Sequence, residues 1–184
     1  MEEEQAHFNI VITGDGGVGK STFIKRHKDK QFVGEYFPTS IDEDTYLTFD
    51  TNDHRYPKIH LCVRDTSGQT GLFNPIGTLQ GCHAAMVFYD LGSHSTAMKA
   101  RIKRDTVVRH TDGNIPLIVC GNKEDGEVKV QRIPTFVRSH KIHHCKLSVQ
   151  DLSTPDRKDK FFYPFEYLLR KLTENEDLSI LNKW

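Results

Sequence analysis

A glycine-rich run near the N-terminus constrains the fold of this chain more than any other feature. Residues 14–21 read Gly-Asp-Gly-Gly-Val-Gly-Lys-Ser, which fits the pattern G-x-x-x-x-G-K-[ST]. The run follows a β-branched apolar segment and precedes an amphipathic one, and this pattern needs a strand before it and a helix after it. Glycines let the backbone wrap a phosphate chain with its N–H groups pointing inward, and the helix N-terminus adds positive potential. The run therefore predicts a phosphate-binding loop, with a glycine-rich turn and a chance Lys-Ser pair as the alternative.

Apolar runs alternate with amphipathic segments along the rest of the chain. We predict strands over 8–13, 46–49, 59–63, 84–89, 115–120 and 145–147, and helices over about 20–30, 95–110, 131–140 and 159–172. Pro164 is expected in the first turn of the last helix, where a missing N–H costs little. This order predicts an α/β fold: a six-stranded, mostly parallel sheet with one antiparallel strand, flanked by helices on both faces. Such sheets bind ligands at the carboxyl ends of their strands.

The composition excludes several classes of protein. The chain has 184 residues, enough for one domain, and its 25 Lys and Arg balance its 25 Asp and Glu. Direct nucleic-acid binding is therefore not expected. No apolar run approaches the roughly 20 residues of a bilayer span, and the acidic N-terminus is not followed by the apolar stretch of a secretory signal. The four cysteines are widely spaced, which favours free thiols in a reducing compartment.

Three motifs, the phosphate loop and two others, each follow a predicted strand. In the phosphate loop, Lys20 is predicted to reach the β and γ phosphates and the Ser21 hydroxyl to bind Mg²⁺. Asp65 begins the run Asp-Thr-Ser-Gly-Gln, where a carboxylate can hold Mg²⁺ through water and a glycine N–H can approach the γ phosphate. Asn122 begins the run Asn-Lys-Glu-Asp, and the Asp125 carboxylate can accept from both donors of guanine, whereas adenine would mispair. The three motifs in this order predict a guanine-nucleotide site.

These motifs resemble those of the Ras superfamily of small GTPases. Several stretches of the sequence are similar to the Ran branch, the nuclear transport GTPases. These stretches are residues 14–17 with 23–27, residues 114–123, and residues 164–165 with 169–172. The resemblance covers about residues 8–181. It implies a P-loop NTPase G domain over 8–172, an acidic N-terminal extension over 1–7 and a short C-terminal segment over 173–184. It also implies GTP or GDP as ligand, Mg²⁺ as cofactor, slow GTP hydrolysis, and conformational switching at about 32–41 and 66–76.

The resemblance carries individual roles onto this sequence. It implies that Thr39 binds Mg²⁺ together with Ser21 and Asp65, that Phe32 packs on the guanine, and that Gln69 orients the attacking water. Lys20, Tyr36, Gly68 and Gln69 are the residues expected to act in hydrolysis, and Gly16 leaves that geometry uncrowded. The nucleotide site as a whole is predicted to comprise Gly14, Asp15, Gly16, Gly17, Val18, Gly19, Lys20, Ser21, Thr22, Phe32, Tyr36, Thr39, Gly68, Asn122, Lys123, Asp125, Ser148, Val149 and Gln150.

The sequence departs from the family pattern at two places. The last guanine motif, usually Ser-Ala-Lys, reads Ser-Val-Gln at 148–150, so we expect weakened nucleotide binding, with the Val149 N–H still donating to the guanine carbonyl. Arg64, Thr70 and Leu72 stand where the Ran branch has partner-contacting residues, an aromatic at the first of them. These departures favour an alternative, a divergent paralogue that holds nucleotide as a binding module and hardly cycles.

The resemblance also implies partners and a location. Receptors of the importin-β type, an exchange factor and a GTPase-activating protein are expected, for a monomer found in nucleus and cytoplasm. The last cysteine is Cys145, inside the domain, so no lipid anchor is expected. A Rab-like or Ras-like trafficking GTPase whose tail is missing from this sequence is the second alternative.

Two other clusters have simpler interpretations. A metal site could be built from His140, His143, His144 and Cys145. His143 and His144 are neighbours in a strand and point to opposite sides, so we interpret the histidines as surface residues and not as a metal site. The basic stretch from Lys99 to Arg109 is interpreted as a solvated helix face.

Overall fold

The computed structural model describes residues 5–35, 38–68 and 74–184. Its centre is one six-stranded sheet in the order β2-β3-β1-β4-β5-β6, in which only the β2–β3 pair is antiparallel. The predicted α/β architecture is therefore confirmed. The strands are β1 Ala6–Gly14, β2 Glu43–Asp50, β3 Lys58–Asp65, β4 Ala84–Asp90, β5 Leu117–Asn122 and β6 His143–Lys146. The helices are α1 Lys20–Asp29, α2 Pro75–Leu79, α3 His94–His110, α4 Thr135–Ser139 and α5 Pro155–Thr173.

Strand β4 shows that both faces of the sheet are covered. Its Met86 and Phe88 pack in the cluster that contains Phe23 of α1 and the apolar residues of α5. The alternate residue Val87 packs instead against α3 and α4. Because successive side chains of a strand point to opposite faces, the unbroken apolar run 84–89 is the pattern of a strand buried on both sides.

Helix α5 corrects the prediction for Pro164. The helix begins at Pro155, with Thr154 capping it by accepting from the Arg157 N–H at 3.3 Å, so Pro164 lies in the middle and not in the first turn. Proline directly after a capping threonine is a strong start signal, and it outweighs the later proline. An internal proline costs about 3 kcal/mol. Burial of the surrounding α5 side chains offsets that cost: Phe161, Phe162, Phe165, Leu168 and Leu169 are all fully buried.

Two shorter helices also differ from the prediction. Helix α4 begins at Thr135 instead of about 131, because Pro134 restricts the residue before it to extended conformations. Helix α2 follows Asn74 and has Pro75 in its first turn. Its five residues are too few to show an apolar period in the sequence.

The C-terminal segment, residues 174–184, packs on the domain. Ile180 pairs with Thr51 in an isolated antiparallel bridge, and its N–H donates to Glu166 Oε1 at 2.8 Å. The Trp184 ring packs edge-on against Phe161, with ring centroids 5.9 Å apart. Across the described ranges, no helix is both long and apolar enough to cross a membrane.

Candidate functional site

A cleft of about 560 Å³ opens at the carboxyl ends of β1, β3 and β5. Strand β1 lies at the point in the strand order where successive connections diverge to the two sides of the sheet, which is where ligands bind in such folds. Most of the predicted site residues described in the structure line this cleft. They are Gly16, Gly17, Gly19, Lys20, Ser21, Thr22, Phe32, Thr39, Gly68, Asn122, Lys123, Asp125, Val149 and Gln150.

The phosphate loop needs glycine at two positions for conformational reasons. Gly17 has φ 72° and Gly19 has φ 96°, a region that residues with a side chain rarely adopt. A Cβ on Gly19 would also lie 2.3 Å from Asn122 Nδ2. Helix α1 begins directly afterwards at Lys20, so the N–H groups of its first turn face the cleft.

Lys20 lies across the phosphate loop. Its Nζ donates to the Gly14 carbonyl at 3.2 Å and to the Asp15 carbonyl at 3.0 Å, and the residue is only 6% exposed. Burial lowers the pKa of the ammonium, and the nearby Asp65 carboxylate opposes that shift. A buried cation held by two neutral carbonyls is well placed to donate to an anionic ligand in the cleft.

Ser21, Thr39 and Asp65 come together from three separate segments. The Ser21 and Thr39 hydroxyls are 2.8 Å apart, Ser21 Oγ donates to Asp65 Oδ2, and Thr39 Oγ1 is 3.5 Å from the same oxygen. Burial raises the pKa of Asp65, and its hydrogen bond from Ser21 opposes this. Asp65 Oδ1 is buried and has no hydrogen-bond partner among the described residues. A carboxylate with an unused oxygen beside two hydroxyls is a hard oxygen donor set, so these residues fit Mg²⁺.

Gly68 packs directly against the phosphate loop. A Cβ on this residue would lie 2.5 Å from the Gly16 N and 2.6 Å from its Cα, which neither backbone could accommodate. Glycine is therefore required here by close approach. Two residues predicted to act in hydrolysis, Tyr36 and Gln69, lie outside the described residues.

Asn122 joins the phosphate loop to the loop that would face the base. Its Nδ2 donates to the Val18 carbonyl at 2.9 Å, and its Oδ1 accepts from the N–H groups of Lys123 and Val149. The bond from the Val149 N–H is 3.1 Å long. This N–H therefore already has an acceptor in Asn122, and its bond to the guanine carbonyl stays a prediction.

The remaining base-facing residues come from distant segments. Ser148 Oγ donates to Asp125 Oδ1, which leaves the other carboxylate oxygen of Asp125 for a ligand. Phe32 lines the same end of the cleft and is 39% exposed. The arrangement offers an apolar ring and a fixed carboxylate to a planar base.

Two charged residues near the cleft, Asp90 and Lys99, were not predicted as site residues. Asp90 pairs with Lys123 at 2.7 Å, since its own position is in register with Asn122 across β4 and β5. Asp15 pairs with Lys99 of α3 at 2.8 Å. Asp90 ends a strand, as Asp65 does, and this placement could have identified it from the sequence as a candidate site residue.

The histidine pair lies away from the cleft, with its two side chains on opposite faces of β6. His143 stacks on Tyr167 at 3.9 Å between ring centroids, whereas His144 Nε2 is 2.9 Å from the Tyr89 hydroxyl. His140 is exposed, as expected of a surface histidine, whereas His143 and His144 are half-buried and their rings pack against tyrosines. The described ranges contain no cluster of three or more His, Cys, Asp or Glu that could hold a metal ion.

Comparison with known proteins agrees with this geometry. A family model described as the Ras family matches residues 9–159, which include the phosphate loop, the Asp65 segment and the base-facing loops. Members of this family bind GTP and GDP with Mg²⁺ and act as molecular switches. The chain belongs to the Ras family of small GTPases.

Proposed function

We propose that this protein hydrolyses GTP to GDP and acts as a Ran-like switch in transport between nucleus and cytoplasm. One observation carries the switch part of the proposal. The Thr39 hydroxyl lies 2.8 Å from Ser21 Oγ and 3.5 Å from Asp65 Oδ2, so the segment around Thr39 reaches the magnesium-type donor set. A γ phosphate would hold both Thr39 and Gly68, and its loss would release them.

Different residues of the cleft would bind the phosphates, the base, Mg²⁺ and the attacking water. Lys20 and the N–H groups of residues 16–21 would hold the phosphate chain, and Asp125 would hold the base. Ser21, Thr39 and Asp65 would hold Mg²⁺, which when bound supplies positive charge against the β and γ phosphates. Gln69 would orient the attacking water. Unassisted hydrolysis is expected on the order of 10⁻⁴ s⁻¹, the scale of Ras proteins without an activating protein.

Gln69→Leu tests the hydrolysis step. Leucine can neither donate to nor accept from a water molecule, so the variant should bind GTP as the wild type does but hydrolyse it far more slowly. Single-turnover phosphate release measures this, above all with an activating protein present. Equal rates in the two proteins would contradict a role for Gln69 and favour a binding module with little cycling.

The transport role is supported by the Ran-like stretches at 14–17, 23–27 and 114–123. We propose that the GTP form binds receptors of the importin-β type, while an exchange factor and an activating protein control the cycle. Only a partner with different affinities for the two forms can be switched. Calorimetry with each nucleotide state tests this proposal. Failure of both states to bind any such receptor would remove the transport role and leave the GTPase chemistry.

Arg64 bears on a second partner, the carrier that recognises the GDP state in the Ran branch. Its guanidinium pairs with Asp44 at 2.7 Å and donates to the Thr78 carbonyl at 3.2 Å. The Ran branch has an aromatic residue at this position, whereas this chain has a charged side chain that is already bonded within the domain. We propose that this carrier binds weakly or not at all, and the same calorimetry with the GDP form measures it.

The divergent binding module remains a second candidate because of one contact. Since the Val149 N–H donates to Asn122 Oδ1, guanine would have to compete for it, and slow cycling could follow from altered base binding. Nucleotide content of the purified protein, together with its single-turnover rate, separates the two candidates.

A further inference from the structure

Arg26 lies on α1 and is not among the predicted site residues, yet its guanidinium contacts Val149, Gln150 and Phe32 at the base end of the cleft. Its Nη1 donates to the Val149 carbonyl and, at 2.8 Å, to the Gln150 carbonyl. The guanidinium carbon is 5.6 Å from the centroid of the Phe32 ring and 5.9 Å from that of Phe161. Segments more than 120 residues apart in sequence therefore meet at one side chain.

The two carbonyls belong to the loop that faces the base. On its inner side, that loop is held by the bond from the Val149 N–H to Asn122 Oδ1 at 3.1 Å. Arg26 holds its outer side, through hydrogen bonds that are stronger than neutral ones because the donor is charged. The loop is thus fixed from two directions, and removing Arg26 would leave it held by its inner contacts, the bonds from the Val149 N–H to Asn122 and from Ser148 to Asp125.

The position of Arg26 on α1 connects this loop to the phosphate end. Helix α1 begins at Lys20 and Ser21, and Arg26 follows Ser21 by about one and a half turns of the same helix. Phe23 and Ile24, between them in sequence, are buried in the core and fix the helix against the sheet. A short rigid helix therefore carries phosphate-facing groups at one end and the anchor of the base-facing loop at the other.

We propose that Arg26 is a positioning residue for base recognition, holding the loop 148–150 and the Phe32 ring in the geometry that fits guanine. This inference rests on the proposed function only in requiring that the cleft bind a guanine nucleotide. Arg26 does not touch the base in this assignment. It sets guanine affinity and the rate of GDP release through the residues that do.

Replacement of Arg26 by methionine tests the proposal, with GDP and ADP as paired probes. Methionine keeps an apolar stem against Phe161 and removes both hydrogen bonds. We expect GDP binding to weaken about tenfold, or about 1.4 kcal/mol, with GDP release faster by a similar factor. Competition by ADP, which uses the phosphate end without guanine recognition, should change less than about threefold. The ratio of GDP to ADP affinity is the decisive readout, because a general weakening of α1 would lower both affinities together.

Two further variants control the measurement. Lys28→Met removes a positive charge from an exposed position of the same helix, and its GDP release should stay within about twofold of wild type. Arg26→Lys keeps the charge but offers a single ammonium to the two carbonyls, so its GDP affinity should fall between wild type and Arg26→Met. If Arg26→Met does not fold, Arg26→Lys carries the test by the same GDP-to-ADP ratio.

The outcomes separate this inference from the proposed function. A wild-type protein that binds no guanine nucleotide would overturn both. Normal GDP binding by the wild type, with an unchanged GDP-to-ADP ratio in the Arg26 variants, would overturn the role of Arg26 alone.

Discussion

The two ends of the cleft are built in different ways. The phosphate end is mostly one continuous loop, residues 14–21, whose shape is set by local backbone conformation at Gly17 and Gly19. The base end is assembled from segments around residues 26, 32, 122 and 149, which meet only in the folded chain. The phosphate end is also more deeply buried: Lys20 is 6% exposed, whereas Phe32 is 39% exposed.

This difference predicts how each end responds to change. Loss of the Lys20 side chain at the phosphate end should remove a strong, charge-based contribution to nucleotide binding. Loss at the base end should instead alter specificity and release rate, since several weaker contacts share the recognition. The four predictions below test that division, from the largest expected effect to the smallest.

Lys20→Met should give the largest loss. Charge-assisted hydrogen bonds to two phosphates are removed, so GDP affinity should fall by roughly 10³-fold, or about 4 kcal/mol. The free energy of unfolding should hold steady or rise, because a desolvated ammonium is replaced by an apolar chain. Isothermal calorimetry and urea unfolding measure the two quantities. Lys99→Met, which removes a half-exposed cation paired with Asp15, is the matched control and should cost little affinity. Equal losses of GDP affinity in Lys20→Met and Lys99→Met would contradict a special role for Lys20 at the phosphate end.

Asp125→Asn should change which base is bound. The amide can no longer accept from both donors of guanine, so GDP affinity should fall about 100-fold, while xanthine, with an extra carbonyl, should be preferred. Competition binding with the four common nucleoside triphosphates and xanthosine triphosphate measures the shift. A variant that still prefers guanine would show that Asp125 does not contact the base.

His27 tests the core beneath the base end. Its ring stacks on Phe161 at 4.0 Å, neither ring nitrogen has a hydrogen-bond partner among the described residues, and burial lowers its pKa to about 3. The folded pKa lies below the unfolded value of about 6.5, so stability is present at high pH and is lost as the pH falls through about 6.5 towards 3. As the pH falls from 7 to 5, His27 should lower the free energy of unfolding by about 2 kcal/mol.

His27→Phe should remove that dependence on pH. Urea unfolding of both proteins at pH 7 and pH 5 isolates the contribution of His27, because every other titrating group is common to the two. The same change in unfolding free energy in wild type and variant would mean that His27 is protonated in the folded state.

Gln150→Lys should have the smallest effect. Lysine restores the cationic stem usual at this position, so spontaneous GDP release should slow about fivefold, the scale of one modest contact of about 1 kcal/mol. Release of a fluorescent GDP analogue measures the rate. An unchanged or faster rate would indicate that residue 150 does not reach the base.

The fold and the phosphate end could be predicted from the sequence because their determinants are local. An apolar strand, a glycine-rich turn and a helix start in contiguous residues require no distant contact, and alternation of strands and helices restricts the connections to a parallel sheet. The unbroken apolar run at 84–89 likewise predicted a strand, and the structure buries that strand on both faces. Asn122 and Asp125 were predictable for the same reason, since their motif is short and follows a strand.

Tertiary structure alone decided how the base end is held. Asp90 pairs with Lys123, and the Val149 N–H donates to Asn122, because the register of β4, β5 and β6 aligns those loops. Arg26 reaches Val149 because core packing of Phe23 and Ile24 holds α1 against the sheet. The internal Pro164 is tolerated for a related reason, since burial of the aromatic side chains around it outweighs the local preference of proline. Local sequence sets backbone conformation, whereas contacts between distant segments depend on strand register and core packing, which no short motif encodes.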